Sequence, residues 1–426
     1  MSLRKIIFCG VSVFCFVSQN LAMAGDLGYA ADSMNALGID LLARVAKPNE
    51  NALISPYSIQ SALAMTYAGA AGETKTEMAK VLHYPADNEA ALHSSFAAFR
   101  AEFERIHTST LEIVKESAEH EGPSEAITLE TANRLYGQSG YAFRSEFLSF
   151  MKSNYVSSFQ ICDFVGSSES ARNEINRWVS DSTHMRINNL LPSGSVNQNT
   201  RIALVNAVYF KGAWAKEFSK YSTRKESFWV NGANEEKVST MQRKSLYGYF
   251  KGDGFCAVTI RYVGNDLQML ILLPDEKDGL AALEKKLTAQ LLVECANPAP
   301  DDFILHLPKF KLEPPLAPLA AILQSLGLRM AFDAPKGSAD FERMAPRKLN
   351  EYLYLSEVFH KTFIAVDEQG TEAAAATAAP VTFGLSAIGP RLPKPIELRV
   401  DHPFIFAIQH RASGACLFLG RVVDPR

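Results

Sequence analysis

Apolar residues recur at the spacing of one helical face over residues 30–45, 58–67, 73–82, 90–103, 143–154 and 170–182. Ser55 is placed to cap the second of these helices, with Pro56 in its first turn. Beyond residue 200 the pattern changes. The run IALVNAVYF at 202–210 is almost wholly apolar, which predicts a strand covered on both faces. Segments 255–263 and 267–273 flank Gly264-Asn265-Asp266 and predict a hairpin. Segment 303–312 is interrupted by Pro308, and two late strands, 404–409 and 415–419, are joined by a turn at 411–414. Helices first and long strands later predict an α+β fold. A mostly polar stretch, 105–126, ending near Gly122-Pro123, reads as an inserted surface helix and loop; it is not basic, so it offers nothing to a heparin-like ligand.

Neither an internal repeat nor a Pro/Gly/Ser linker divides the chain, so one domain over 25–426 is expected. Its 47% apolar and 21% charged residues are those of a folded globular protein. The formal charge is -3 and Lys and Arg are scattered, so no nucleic-acid partner is expected. The first 24 residues stand apart. Arg4 and Lys5 precede a short apolar run at 6–17, and Ala22 and Ala24 place small residues where a signal peptidase reads. The run is too short for a membrane span of about 20 residues. A cleaved signal is expected, and with it a secreted or periplasmic product that has no further membrane contact. Loss of Arg4 and Lys5 with the signal leaves 41 basic and 46 acidic residues. The short signal and the lack of an N-x-[ST] sequon point to a bacterial source. Cys9 and Cys15 leave with the signal. Cys162, Cys256, Cys295 and Cys416 stay, either as buried thiols or as two disulfides in one of three pairings. No metal-ligand spacing, G-x-S-x-G or H-E-x-x-H is present, so neither an enzyme nor a metal or other cofactor is expected.

One segment does not read as an ordinary loop. After the strand-like KTFIAVD at 361–367 come Glu368, Gln369, Gly370, Thr371 and Glu372, then an uncharged stretch from Ala373 to Ile388. Thirty-two residues separate Gly370 from Pro403, a connection long enough to be functional in its own right. Laid out as a strand, Thr371, Ala373, Ala375, Thr377 and Ala379 share one face, and Glu372, Ala374, Ala376 and Ala378 the other. A face this small can slide between two existing strands without displacing a packed core.

The stretch GTEAAAATAA at 370–379 resembles the hinge of an inhibitory serpin, and the resemblance extends over nearly all of the mature chain. NALISPYSI at 51–59, LVNAVYFKGAW at 204–214, His360-Lys361, DHPF at 401–404 and FLGRV at 418–422 follow in the family's order. It implies a metastable fold of three sheets and about nine helices, with an exposed reactive loop over about 368–395. A target serine protease would cleave the loop, become acylated, and be trapped in a 1:1 covalent complex with a monomeric inhibitor as the loop inserts into the large sheet. A cysteine protease is a second class of target the family admits. A non-inhibitory carrier or chaperone is the alternative, disfavoured by the small hinge.

The resemblance also assigns roles. Ser55, Ser58, Asn206 and His360 would form the polar cluster where the sheet opens, and Trp214 would mark the point of loop entry. Gly370, Thr371, Glu372, Ala373, Ala374, Ala375, Ala376 and Thr377 would form the hinge. Counting Gly370 as the fifteenth residue before the reactive bond places the cut at Gly384-Leu385. The neighbouring bond, Leu385-Ser386, offers a better side chain to an elastase-, chymotrypsin- or subtilisin-like pocket, with Phe383 one residue nearer the hinge. Cleavage at Arg391-Leu392 would lengthen the inserting segment by seven residues, roughly 23 Å of slack. Two features depart from the pattern. Pro380 would lack a ladder donor inside the inserted strand, which predicts slower insertion, and Ala365 and Gln369 are less acidic than usual.

Overall fold

A computed structural model describes residues 12–85, 88–117, 122–123, 125–156, 159–372 and 397–426, with side chains from Leu27 onward. The helices among the described residues are α1 (Ser12–Val45), α2 (Pro56–Gly69), α3 (Gly72–Val81), α4 (Glu89–Ser117), α5 (Ser145–Tyr155), α6 (Phe164–Ser182), α7 (Leu280–Lys286), α8 (Ala289–Glu294) and α9 (Leu319–Ser325). The strands are β1 (Ala52–Ile54), β2 (Thr128–Gln138), β3 (Phe159–Cys162), β4 (Ile202–Ala213), β5 (Arg224–Val230), β6 (Asn234–Gly252), β7 (Phe255–Arg261), β8 (Leu267–Pro274), β9 (Pro300–Pro308) and β10 (Phe310–Leu312). They continue with β11 (Ala317–Pro318), β12 (Leu355–Thr362), β13 (Ile364–Val366), β14 (Gly370–Thr371), β15 (Glu397–Arg399), β16 (Phe404–His410) and β17 (Cys416–Val422). The α+β fold and the expected helices and strands are therefore present. α1 runs through the expected cleavage point after Ala24. Its core-facing residues Leu27, Ala30, Met34, Leu37 and Leu41 all lie beyond that point.

Hydrogen bonding joins the strands into two networks. In one, β6 pairs with β5, β9 and β7 along successive parts of its length, so it links two halves of a nine-stranded assembly that also holds β1, β8, β15, β16 and β17. The other is the sheet that matters for the loop. Its middle runs β3-β2-β4-β12-β11, with β4 and β12 parallel and in contact from Leu355↔Ile202 to Thr362↔Val208. A parallel pair with no short connection needs cover on both faces, and alternation along β4 supplies it. Leu204, Val208 and Phe210 point into the main core, whereas Ala203, Val205 and Ala207 pack with Ile175 and Val179 of α6. The strand expected over 361–367 is broken after Thr362, and β12 begins earlier, at Leu355. The polar stretch that read as an insertion continues α4 to Ser117.

All four cysteines outside the first 24 residues are free and buried. Burial pushes the Cys162 and Cys256 thiols up to about 11 and those of Cys295 and Cys416 up to about 12. Among the described residues no helix is long and apolar enough to cross a membrane.

Candidate functional site

Where β12 ends, the chain turns and the hinge begins. β13 runs antiparallel to β14, with Val366 opposite Thr371, and β14 pairs antiparallel with the end of β4 through Gly370↔Ala213 and Thr371↔Gly212. β14 therefore lies on the same side of β4 as β12, just past the point where β12 stops. The first two hinge residues already occupy the mouth of the β4–β12 seam.

The sequence accounts for this seat. A Cβ at position 370 would lie 2.2 Å from the Gly212 carbonyl oxygen, so only glycine permits so close an approach. The Asp367 carboxylate accepts from the amides of Gln369 (2.9 Å) and Gly370 (3.3 Å), closing the turn. Thr371 is fully buried, its hydroxyl 2.6 Å from the Tyr262 hydroxyl. Trp214, just past β4, stacks on Tyr262 at 4.7 Å; its indole N–H donates to the Asp367 carbonyl and its amide to the Gln369 carbonyl, both at 2.9 Å. Trp214 thus packs beside the start of the hinge. Glu368 is anchored more firmly than sequence suggested. Lys309 and the Thr223 hydroxyl each donate to its carboxylate at 2.7 Å. Burial alone would raise the Glu368 pKa, but these two donors outweigh it and hold it below the usual carboxylate range.

Deeper along the seam, Ser55, Ser58, Asn206 and His360 form one network. Ser55 caps α2 by accepting from the Ser58 amide (3.2 Å) and donates from its hydroxyl to the Leu417 carbonyl (2.6 Å). Its own amide donates to His360 Nε2 (3.2 Å), and His360 Nδ1 donates to Asn206 Oδ1. Asn206 Nδ2 donates to Ser58 Oγ at 2.6 Å. Both ring nitrogens are thereby used by a neutral imidazole, and burial lowers the His360 pKa to about 3. His360 is opposite Asn206 across the β4–β12 ladder, so this contact bridges the seam.

Sequence reasoning missed Asn133 on β2, whose Oδ1 accepts from Ser58 (2.9 Å) and Asn206 (2.5 Å). An amide is out of place in a strand unless it has polar partners, and that was the available signal. Tyr262, Lys309 and Thr223 gave none, because they approach the hinge from distant segments. Hinge residues Ala373, Ala374, Ala375, Ala376 and Thr377, Pro380, and the candidate bonds at Gly384, Leu385, Ser386 and Arg391 lie outside the described residues.

A family model described as Serpin (serine protease inhibitor) matches residues 32–425. Serpin B10 of Bos taurus is 35% identical over 412 residues, covering 94% of this chain and 100% of its own. The leukocyte elastase inhibitor of Homo sapiens is 36% identical over 405 residues, covering 93% and 99%. The crystal structure of uncleaved ovalbumin superposes with a TM-score of 0.73 at 27% identity, covering 93% of this chain and 100% of that one.

Proposed function

The chain belongs to the serpin family, and from that premise we propose that it is a suicide-substrate inhibitor of serine proteases with apolar primary pockets. The observation that carries this is the seated hinge: Gly370 and Thr371, already laddered to β4 at the open end of the β4–β12 seam. Extending that register pairs Ala373 with Phe210, Ala375 with Val208, Thr377 with Asn206 and Ala379 with Leu204. Small side chains then meet the core face of the sheet, and Thr377 arrives at the polar cluster, able to exchange hydrogen bonds with Asn206 and His360 as they part.

The same register addresses Pro380. β4 begins at Ile202, opposite Val381, so the proline falls one residue before the ladder ends and its missing N–H affects only the last bonds. The inserted strand from 371 to 381 would span roughly 36 Å. A protease held at residue 384 or 385 would then hang three or four residues past the far end of β4. One held at Arg391 would hang ten residues past it, seven more than at Gly384, and would not be pressed against the molecule.

In the reaction, the protease serine attacks the carbonyl of Leu385 or Gly384, forming an ester and releasing the downstream segment with a new amino terminus. Hydrolysis of that ester competes with insertion, and insertion before hydrolysis traps the enzyme. Removal of residues 1–24 to give one secreted or periplasmic domain belongs to the same proposal, and N-terminal sequencing of the exported protein should begin at Gly25. Mixing the protein with elastase-, chymotrypsin- and subtilisin-like enzymes tests the inhibitory reading. A 1:1 complex that survives denaturing electrophoresis supports it. Clean loop cleavage without a complex would favour a carrier or chaperone.

A further inference from the structure

We propose that Arg186, in the turn after α6, is a positioning residue for the hinge: it holds the Glu372 carboxylate on the α6 face of the sheet while the backbone swings into the inserted strand. This inference rests on the loop-insertion reading above.

Glu372 is the last described residue before the loop, and its side chain is only 7% exposed. Arg186, itself 54% exposed, forms an ion pair through Nε with Glu372 Oε1. Neither carboxylate oxygen has a further hydrogen-bond partner among the described residues. A carboxylate this buried needs a cation beside it. The surrounding groups leave the task to Arg186. Lys211 on β4 is paired with Glu125 at 2.8 Å, and His184, which packs on Tyr209 at 4.9 Å, is paired with Glu130 of β2 at 3.0 Å.

Strand alternation fixes which way Glu372 must travel. Thr371, opposite Gly212, faces the core and meets Tyr262. In an extended strand Glu372 takes the opposite, α6-covered face, level with Lys211, and its ion pair with Arg186 already draws the carboxylate to that side before insertion. What must change is its backbone. Glu372 has φ 51°, a left-handed conformation that an L residue other than glycine rarely keeps, and its amide donates to the Ala365 carbonyl at 2.6 Å, which turns the chain off the strand path. Insertion relaxes that φ to an extended value while the carboxylate can stay with Arg186. Without Arg186 the carboxylate is buried with no unpaired cation beside it among the described residues, moves toward water, and draws Thr371 out of its seat.

The test separates cleavage from insertion. The loop of the uncleaved protein is nicked by a protease and chain scission is measured on gels. Insertion is followed by intrinsic fluorescence, to which Trp214 at the mouth contributes, and by the gain in thermal stability. Arg186→Ala is expected to leave scission unchanged and to slow insertion about fivefold, the scale of one lost charge-assisted contact. Arg186→Lys should recover part of that loss. Glu372→Gln should slow insertion similarly, and the double variant should be no slower than either single one, because both remove the same contact. Insertion of Arg186→Ala at the wild-type rate, or losses that add in the double variant, would overturn the inference alone. A wild-type protein that is nicked and does not insert would overturn the loop-insertion reading, and this inference with it.

Discussion

Acid should weaken the β4–β12 seam through one side chain. His360 is buried among Ser55, Ser58, Asn133 and Asn206, none of them charged, and burial lowers its pKa from 6.5 to about 3. The unfolded chain therefore binds a proton at this site across a range where the folded chain does not. The stability that neutral His360 contributes is complete above pH 6.5 and is lost progressively as pH falls toward 3. The slope is about 1.4 kcal/mol per pH unit, so roughly 2–3 kcal/mol disappears between pH 6.5 and 4.5. Against a typical stability of about 5–15 kcal/mol, that is readily measured. The comparison is with His360→Gln, which keeps an amide able to donate and accept but cannot titrate. Carboxylates titrate in both proteins and cancel in the difference. The first cooperative urea transition of the uncleaved protein, measured at intervals from pH 7.5 to 4.5, should fall more steeply in the wild type by this amount. Parallel pH profiles for the two proteins would refute the reasoning.

Three further outcomes follow. Thr371→Arg would place a guanidinium in the buried site beside Tyr262; it should leave the fold and loop cleavage intact but abolish the covalent complex, as judged on denaturing gels. Lys309→Met removes the cation from the buried Glu368 carboxylate; a loss of about 1–2 kcal/mol should lower the thermal midpoint by about 2–4 °C per kcal/mol. Cys162, Cys256, Cys295 and Cys416 are free, buried and raised in pKa, so a thiol reagent at pH 8 should leave these four unmodified in the native protein and label all of them once it is denatured without reductant.

The elements that position the hinge differ in how plainly the sequence announces them. β4 is legible because both its faces are covered, which leaves a nearly unbroken apolar run. α3 and α4 are legible because each buries one stripe, whereas α7, α8 and α9, at six or seven residues, are too short to show one. β6 is not: its 19 residues change partners from β5 to β9 to β7, so no single alternation runs through them. β2 and β12 are obscured by polar residues such as the half-buried Asn133 and the buried His360, both of which pair with Asn206. Thr371 illustrates the same limit at the site. Its small size was visible in sequence, but its place beneath Trp214 and Tyr262 before any cleavage depends on residues more than 100 positions away. Arg186 and Lys309 reach the hinge only through tertiary structure, and nothing in their local sequence marks them.

The most direct test of the trapping mechanism is the mass of the covalent adduct formed with an elastase- or chymotrypsin-like enzyme, together with the mass of the peptide released on denaturation. Trapping by insertion predicts an adduct of one protease with the chain ending at Leu385 or Gly384, and a released C-terminal peptide beginning at Ser386 or Leu385. A stable adduct that releases a peptide beginning at Leu392, or quantitative cleavage at residues 384–386 with no adduct, would contradict it.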